Sequence, residues 1–202
     1  MKRNFSHKPR IKVRDAPWSE SHGFSEDSLG ATLFYVSVAQ SVLAKKILVI
    51  GYGAGFVPKL FLENCPSLKQ LVLVDAFLPE TGNGSPLDVK IKEITDYPII
   101  RKNRDKLLVY KTLSAPFFHF AKMNGLLFEL IFIDGDHSEH GFESDLRDSL
   151  RCLSPGGAIL FHDTKFLHIA KAADILLKQK WTNLEIGAGV GLFISPWKGE
   201  NV

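Results

Sequence analysis

Five short apolar runs constrain the fold of this chain more than any other feature of its sequence. Each run ends at a glycine, a charged residue or a histidine, and the runs occupy residues 47–50, 71–74, 107–110, 130–133 and 158–161. Apolar runs without polar alternation suit strands that are buried on both faces, which is typical of parallel sheets. We therefore expect five strands in the middle of a parallel sheet, with polar residues gathered at the strand ends.

Segments with helical spacing of apolar residues lie between these runs. The predicted helices cover residues 29–44, 56–63, 89–103, 142–150 and 167–178, and two late strands are expected at 181–186 and 191–195. Lys45 and Lys46 should close the first helix, and the turn at 154–157 should follow the fourth. Alternating strands and helices predict an α/β fold, with one mostly parallel, Rossmann-like, seven-stranded sheet and helices on both faces.

The length of 202 residues suits one domain with an appended arm. We predict a basic, mostly irregular arm over residues 1–27 and a single domain over residues 28–202. Residues 1–14 carry six basic residues and no acid, so the remainder of the chain is slightly acidic although the net charge is +3. Such an arm is either a solvated tail or a segment that attracts an anionic acceptor, an acidic partner or a membrane surface.

Several classes of protein are excluded by composition and charge. Basic residues do not cluster on the predicted elements, so no nucleic-acid partner is expected. No apolar run has the length of a membrane span or the form of a signal peptide, so we expect a cytoplasmic protein. The two cysteines, Cys65 and Cys152, exclude a disulfide scaffold and a cysteine-rich metal site.

A glycine loop follows the first apolar run and predicts a nucleotide site. Gly51, Gly53 and Gly55 form the pattern G-x-G-x-G, which lets backbone N–H groups approach a ligand. Asp75 ends the second run, where an acid can accept hydrogen bonds from both hydroxyls of a ribose. Phe56 stands where a dinucleotide fingerprint has its third glycine, which argues against NAD. The alternative is a tight turn with packing glycines and a surface aspartate.

These motifs resemble those of the class I S-adenosylmethionine-dependent methyltransferases. The first two motifs match at residues 49–55 and 74–77, and the subgroup of small-molecule and sugar O-methyltransferases is matched by the pattern DGDH at 134–137, PGG at 155–157 and HDT at 162–164. Asp145 and Leu146 also belong to the pattern, and the resemblance covers about residues 25–195. It implies the class I methyltransferase fold and methyl transfer from S-adenosylmethionine to a small molecule, at a hydroxyl.

The resemblance also assigns residues to the cofactor. The implied cofactor-binding residues are Gly51, Gly53, Gly55, Asp75, Ser114 and Asp134. Two positions depart from the family. Val49 stands where the family has an acid that helps to hold the methionine end of the cofactor, a role that Glu26 could take. Residues 112–114 stand where the family has Gly-Asp-Ser, and only Ser114 matches.

Acids and histidines follow the fourth and fifth runs: Asp134, Asp136, His137, His162 and Asp163. Since ligands bind at the carboxyl ends of parallel strands, these side chains could converge and suit a divalent ion such as Mg²⁺ or Mn²⁺. The resemblance implies Asp134, His162 and Asp163 as the metal ligands, with His162 in place of a carboxylate. Without a metal, His137 or His162 would be the catalytic base, and Asp134 completes the catalytic set.

Each of these residues has a simpler interpretation. Asp163 and Asp136 could cap the helices that follow them, and His137 and His140 could lie on a solvated turn. The predicted function is methylation of a small-molecule hydroxyl. The alternative is a non-catalytic protein, or a hydrolase-like or hydroxylase-like protein, on the same nucleotide-binding scaffold. A monomer and a homodimer are both compatible with the sequence.

Overall fold

A computed structural model describes residues 26–52, 55–76, 97–161, 169, 182–186 and 190–194. Within these ranges the helices are α1 (Glu26–Ser41), α2 (Phe56–Asn64), α3 (Pro98–Lys102), α4 (Ser114–Met123) and α5 (Glu139–Arg151). The strands are β1 (Lys46–Ile50), β2 (Gln70–Asp75), β3 (Leu107–Lys111), β4 (Phe128–Ile133), β5 (Leu153–Phe161), β6 (Thr182–Ile186) and β7 (Val190–Ile194). A 3₁₀ turn, Arg104–Lys106, leads into β3.

The strands form one seven-stranded sheet in the order β3-β2-β1-β4-β5-β7-β6. The first five strands run parallel, whereas β7 is antiparallel to both β5 and β6. The predicted α/β fold with a mostly parallel seven-stranded sheet is therefore confirmed. Chain order turns around between β1 and β4, and the crevice at such a turning point is where open α/β sheets bind their ligands.

Helices cover both faces of the sheet because successive strand residues point to opposite sides. On one face, Val49 packs in an apolar cluster with residues of α1, α2 and α3 such as Tyr35, Phe61 and Ile100. On the other face, Ile50 belongs to a second cluster that contains residues of α4 and α5. The unbroken apolar runs are thus explained by burial on two sides.

The first helix was predicted at 29–44 but is observed at Glu26–Ser41, and Lys45 and Lys46 do not close it. Leu43 has a φ of 50°, and the Ala44 N–H donates to the Ala39 carbonyl over 2.9 Å. This left-handed turn satisfies the last carbonyls of the helix and ends it. Lys46 is consequently the first residue of β1.

Two strand predictions need correction. The turn predicted at residues 154–157 is part of β5, which begins at Leu153 and shifts its register against β4 between Phe128 and Leu130. The third strand is not buried on both faces, because β3 lies at the edge of the sheet and leaves Leu108 and Val109 41% and 44% exposed. An apolar run therefore indicates a strand without specifying whether it is central.

Helix α4 was not among the predicted helices. It connects the parallel strands β3 and β4, and a parallel pair needs such a crossover. Phe117, Phe118 and Ala121 form its buried side. Their spacing of one and four residues is a helical signal in the sequence, although it extends over little more than one turn.

Some sequence predictions lie outside the described residues. They are residues 1–25 of the arm predicted at 1–27, the first part of the helix predicted at 89–103 and nearly all of the helix predicted at 167–178. The last two residues of the predicted arm, Glu26 and Asp27, belong instead to helix α1. Among the described residues, no helix is long and apolar enough to cross a membrane.

Candidate functional site

The backbone after β1 is held against the backbone after β4. Gly51 has a φ of 71°, and its N–H donates to the Val74 carbonyl over 2.8 Å. A Cβ added to Gly51 would fall on the carbonyl group of Asp134. Position 51 therefore requires glycine for two reasons, its left-handed conformation and this close approach.

The glycine loop then turns into α2. Gly55 has a φ of 83° and precedes the helix, and its N–H donates to the Tyr52 carbonyl over 2.8 Å. Gly53 lies outside the described residues. The hydrogen bond between Gly55 and Tyr52 thus holds the start of α2 close to the end of β1.

Asp75 lies beside this loop at the end of β2. Its Oδ2 accepts a hydrogen bond from the Tyr52 N–H over 3.1 Å, so the carboxylate and the glycine loop are joined directly. Burial, and to a smaller extent the charge of Asp75, raises the pKa of the Tyr52 phenol above its usual range. The phenol is therefore neutral at physiological pH, and the Asp75 side chain lies next to the loop.

Asp134 begins the loop after β4. Its N–H donates to the Ile50 carbonyl over 2.8 Å, and its Oδ1 lies 3.3 Å from Nε2 of His137. The two side chains are 32% and 42% exposed, respectively. An acid and an imidazole that are within contact and partly open to solvent can bind a polar ligand and exchange a proton with it.

The rest of this loop begins helix α5. Oδ1 of Asp136 accepts from the Ser138 N–H over 2.8 Å, and Oγ of Ser138 accepts from the Gly141 N–H over 3.1 Å. Ser138 is therefore the N-cap, and Asp136 orders the turn before it. The sequence predicted Asp136 as the cap, but the helix begins two residues too late for that role.

The structure also identifies a residue at the site that was not among the candidate site residues, Asp145 on α5. It is 3% exposed, and its carboxylate accepts a hydrogen bond from the Ser114 hydroxyl. Burial and the nearby charges of Asp136 and Asp148 raise its pKa to about 6, against the lowering effect of Ser114. Asp145 shares the buried side of α5 with Phe142 and Leu146, and a charged residue on an apolar stripe was the signal in the sequence.

The structure describes both positions at which the sequence departs from the family pattern. Val49 is fully buried between Leu73 and Phe132 in the cluster that α1 and α2 cover, so its side chain serves the core. Ser114 is the first residue of α4, after Leu113. Glu26 is the first residue of α1.

The predicted metal ligands are only partly described. Asp134 is placed at the end of β4, whereas His162 and Asp163 lie outside the described residues. No group of three or more histidine, cysteine, aspartate or glutamate side chains that could hold a metal ion occurs in the described part of the chain. The metal site therefore stays a prediction.

Comparison with solved structures finds the same fold in several methyltransferases. An O-methyltransferase from Bacillus cereus, solved with SAH, aligns with a TM-score of 0.64 at 16% identity, over 92% of this chain and 84% of that one. The N-methyltransferase NodS from Bradyrhizobium japonicum aligns with a TM-score of 0.58 at 17% identity, over 91% and 94%. The O-methyltransferase TomG from Streptomyces achromogenes gives 0.62 at 12% identity, over 82% and 79%. Because these sequence identities are low, the structural similarity establishes the fold alone.

Comparison at the sequence level gives the family. No curated protein matches the chain. A family described as "Methyltransferase domain" matches residues 48–164, which is more than half of the chain and extends from β1 to just beyond β5. The matched stretch contains the glycine loop, Asp75, Ser114, Asp134 and the cap of α5, and the chain belongs to this methyltransferase family.

Proposed function

We propose that the protein transfers the methyl group of S-adenosylmethionine to a hydroxyl of a small-molecule acceptor. The observation that carries the proposal is the meeting of Gly51, Asp75 and Asp134 at the carboxyl ends of three neighbouring strands. Family membership supports the reaction class.

The backbone around the glycine loop fits a nucleoside cofactor. Gly51 and Gly55 adopt left-handed backbone and have no side chain that could block the approach of a ligand, and the Asp75 carboxylate lies next to the same loop. In this proposal Asp75 accepts hydrogen bonds from the ribose hydroxyls, while Gly51, Gly53, Gly55, Ser114 and Asp134 complete the binding site. The cofactor, when bound, supplies a methyl group activated by a sulfonium.

His137 and Asp134 act on the acceptor. The acceptor hydroxyl has to lose its proton, and His137 takes it while Asp134 orients the imidazole through the contact between Oδ1 and Nε2. The fold contributes by holding the acceptor close to the methyl group and in line with it. His162 is the second candidate for this base.

A divalent ion would change how the proton is lost. In that version Asp134, His162 and Asp163 would hold the ion, which would lower the pKa of the acceptor hydroxyl. Dialysis against a chelator separates the two versions. Activity that survives dialysis supports the imidazole as base, whereas activity that is lost and then restored by Mg²⁺ or Mn²⁺ supports the metal.

Calorimetry tests the cofactor assignment. We expect S-adenosylmethionine and S-adenosylhomocysteine to bind and NAD not to bind. Asp75→Ala should weaken S-adenosylhomocysteine binding by about 1–3 kcal/mol, the usual effect of losing a hydrogen bond to a charged group. Asp105→Ala is the matched control, since Asp105 is exposed in the 3₁₀ turn that precedes β3.

Three outcomes would contradict parts of this proposal. Unchanged affinity in Asp75→Ala would remove the ribose assignment. Tight NAD binding without S-adenosylhomocysteine binding would replace the methyltransferase by a different enzyme, and no binding of any of the three would favour a non-catalytic protein on this scaffold.

His137→Gln tests the acceptor side. The variant should keep its stability, because the side chain is partly open to solvent, and should lose about 10²-fold or more in the rate of methyl transfer. His140→Gln, an exposed histidine in the first turn of α5, is the control. If His137→Gln and His140→Gln transfer methyl groups at the same rate, His137 is not the base, and the proton is removed by His162 or with the help of a metal.

The basic arm is proposed to be dispensable for the cofactor. A chain that lacks residues 1–14 should bind S-adenosylhomocysteine with unchanged affinity. If this deletion abolishes binding, the arm belongs to the folded domain.

A further inference from the structure

Asp145 is a buried acid that the proposed reaction does not use. It lies on the side of α5 that faces the sheet, together with Phe142, Leu146 and Ser149, and it is the one carboxylate classed as buried in the part of the chain that the structure describes. Burying a carboxyl group in such surroundings is unfavourable unless its oxygens are hydrogen-bonded. Its partners should therefore reveal what the side chain does.

The carboxylate touches two loops at once. One contact is the hydrogen bond from the hydroxyl of Ser114, which follows β3. The other is with Gly135, which follows β4, because a Cβ added to Gly135 would lie 3.2 Å from Oδ2 of Asp145. The same Cβ would lie 3.1 Å from Cγ2 of Ile50, so Gly135 is enclosed between Asp145 and the end of β1.

These contacts connect residues that bind the cofactor in the proposed function. Ser114 lies on one side of Asp145, and Asp134 immediately precedes Gly135 on the other. Gly51 in turn packs against the Asp134 carbonyl. A continuous series of contacts thus runs from the loop after β3, through Asp145, to the loops after β4 and β1.

We propose that Asp145 is a positioning residue, which holds Ser114 and the Asp134–Gly135 backbone in the arrangement that binds the cofactor. An apolar side chain of the same shape could fill the space, but it could not accept the hydrogen bond from Ser114. The predicted effect on cofactor binding rests on the proposed function. The contacts of Asp145 with Ser114 and Gly135 do not, because they are present in the protein without cofactor.

Two variants of nearly equal shape separate positioning from packing. Asn and Leu both branch at Cγ as Asp does, but only Asn offers an oxygen to Ser114. Asp145→Leu should fold at least as stably as the natural protein, since a buried carboxyl is replaced by an apolar group, and yet raise the Kd for S-adenosylhomocysteine about tenfold. Asp145→Asn should keep the Kd within about twofold.

Ser149→Ala is the matched control on the same side of α5. The Ser149 hydroxyl is buried and has no hydrogen-bond partner in the described structure, so its loss should leave the Kd unchanged. Calorimetry gives the Kd, and chemical denaturation gives the free energy of unfolding. A stable Leu variant with natural affinity would overturn the proposal, as would an Asn variant that binds as weakly as the Leu variant.

A second measurement keeps the inference independent of the cofactor. In the protein without ligand, the amide NMR signals of Ser114 and Gly135 should both move strongly in Asp145→Leu and much less in Asp145→Asn. If the natural protein binds no S-adenosylhomocysteine, the proposed function fails and these signals still decide the role of Asp145. Signals that stay in place in the Leu variant would show that Asp145 does not position the two loops.

Discussion

The loops after β1 and after β4 meet at the centre of the site, but they are constructed differently. After β1, Gly51 and Gly55 adopt left-handed backbone, and the loop is shaped by close approach of one backbone to another. After β4, side chains make the structure, since Asp136 and Ser138 accept hydrogen bonds from backbone N–H groups. The first loop depends on the absence of side chains and the second on their presence.

This difference in construction predicts how well each loop tolerates a substitution. A backbone held against another backbone has no flexible group that can move aside, so an added atom is strongly destabilising. A side-chain hydrogen bond at a partly exposed turn can be replaced by water, so its loss is modest. Variants in the two loops should therefore differ in the size of their effect on stability.

The largest effect is expected for Gly51→Ala. The new Cβ would fall on the Asp134 carbonyl, and we expect a loss of about 3 kcal/mol or more in the free energy of unfolding, together with loss of S-adenosylhomocysteine binding. Gly125→Ala is a matched control, because Gly125 has a φ of 61° with nothing within 4 Å of its added Cβ. That variant should lose only about 1–2 kcal/mol from the left-handed conformation. Equal losses in chemical denaturation would mean that conformation alone, and not the close approach, makes Gly51 necessary.

An intermediate effect on the free energy of unfolding, which depends on pH, is expected for Asp145→Asn, beneath the β4 loop. Its pKa is raised to about 6 from 3.8, so between these values the folded protein holds a proton that the unfolded chain has lost. Its stabilising contribution is therefore fully present below about pH 4 and is lost as the pH rises through about 6. Relative to the natural protein, Asp145→Asn should gain about 2–3 kcal/mol between pH 4 and pH 7. Urea denaturation at both pH values measures the gain, and parallel stabilities would disprove the raised pKa.

The smallest effect is expected in the β4 loop itself, for Ser138→Ala. Removing the N-cap oxygen leaves the Gly141 N–H to water, and the free energy of unfolding should fall by about 1 kcal/mol. Ser138→Asn keeps a capping oxygen and should be nearly neutral. Thermal or chemical denaturation of both variants measures the difference. A loss in Ser138→Ala as large as that in Gly51→Ala would remove the distinction between the two loops.

Sequence patterns were most reliable where they report local chemistry. The five apolar runs identified five strands, and the glycines of the loop marked the turn into α2. The same reasoning failed for α4, whose apolar signal is short, and for β3, whose run resembles those of the central strands although it lies at the sheet edge. An apolar run records that a segment favours burial, but the neighbours it meets depend on strand order.

The candidate site likewise contains residues that the sequence predicted and one whose role it did not reveal. Asp75 and Asp134 were predicted because strand ends converge in any open parallel sheet, and they do lie beside the glycine loop. Asp145 was predicted only as part of a family pattern, because its role depends on Ser114, which lies 31 residues earlier in the chain and on a different helix. Nothing local to α5 indicates which loop its buried side will touch.

The sequence by itself determined which segments are strands and where glycine is required, because those choices depend on a residue and its near neighbours. Only the tertiary structure decided that the Tyr52 N–H meets Asp75, that Gly51 packs on Asp134 and that Asp145 connects Ser114 with Gly135. These contacts join residues far apart in the chain, and they form only when the strand order brings the loop ends together. The physical reason is that hydrogen bonds and close packing act over a few ångströms, so their partners are selected by the fold and not by spacing along the sequence.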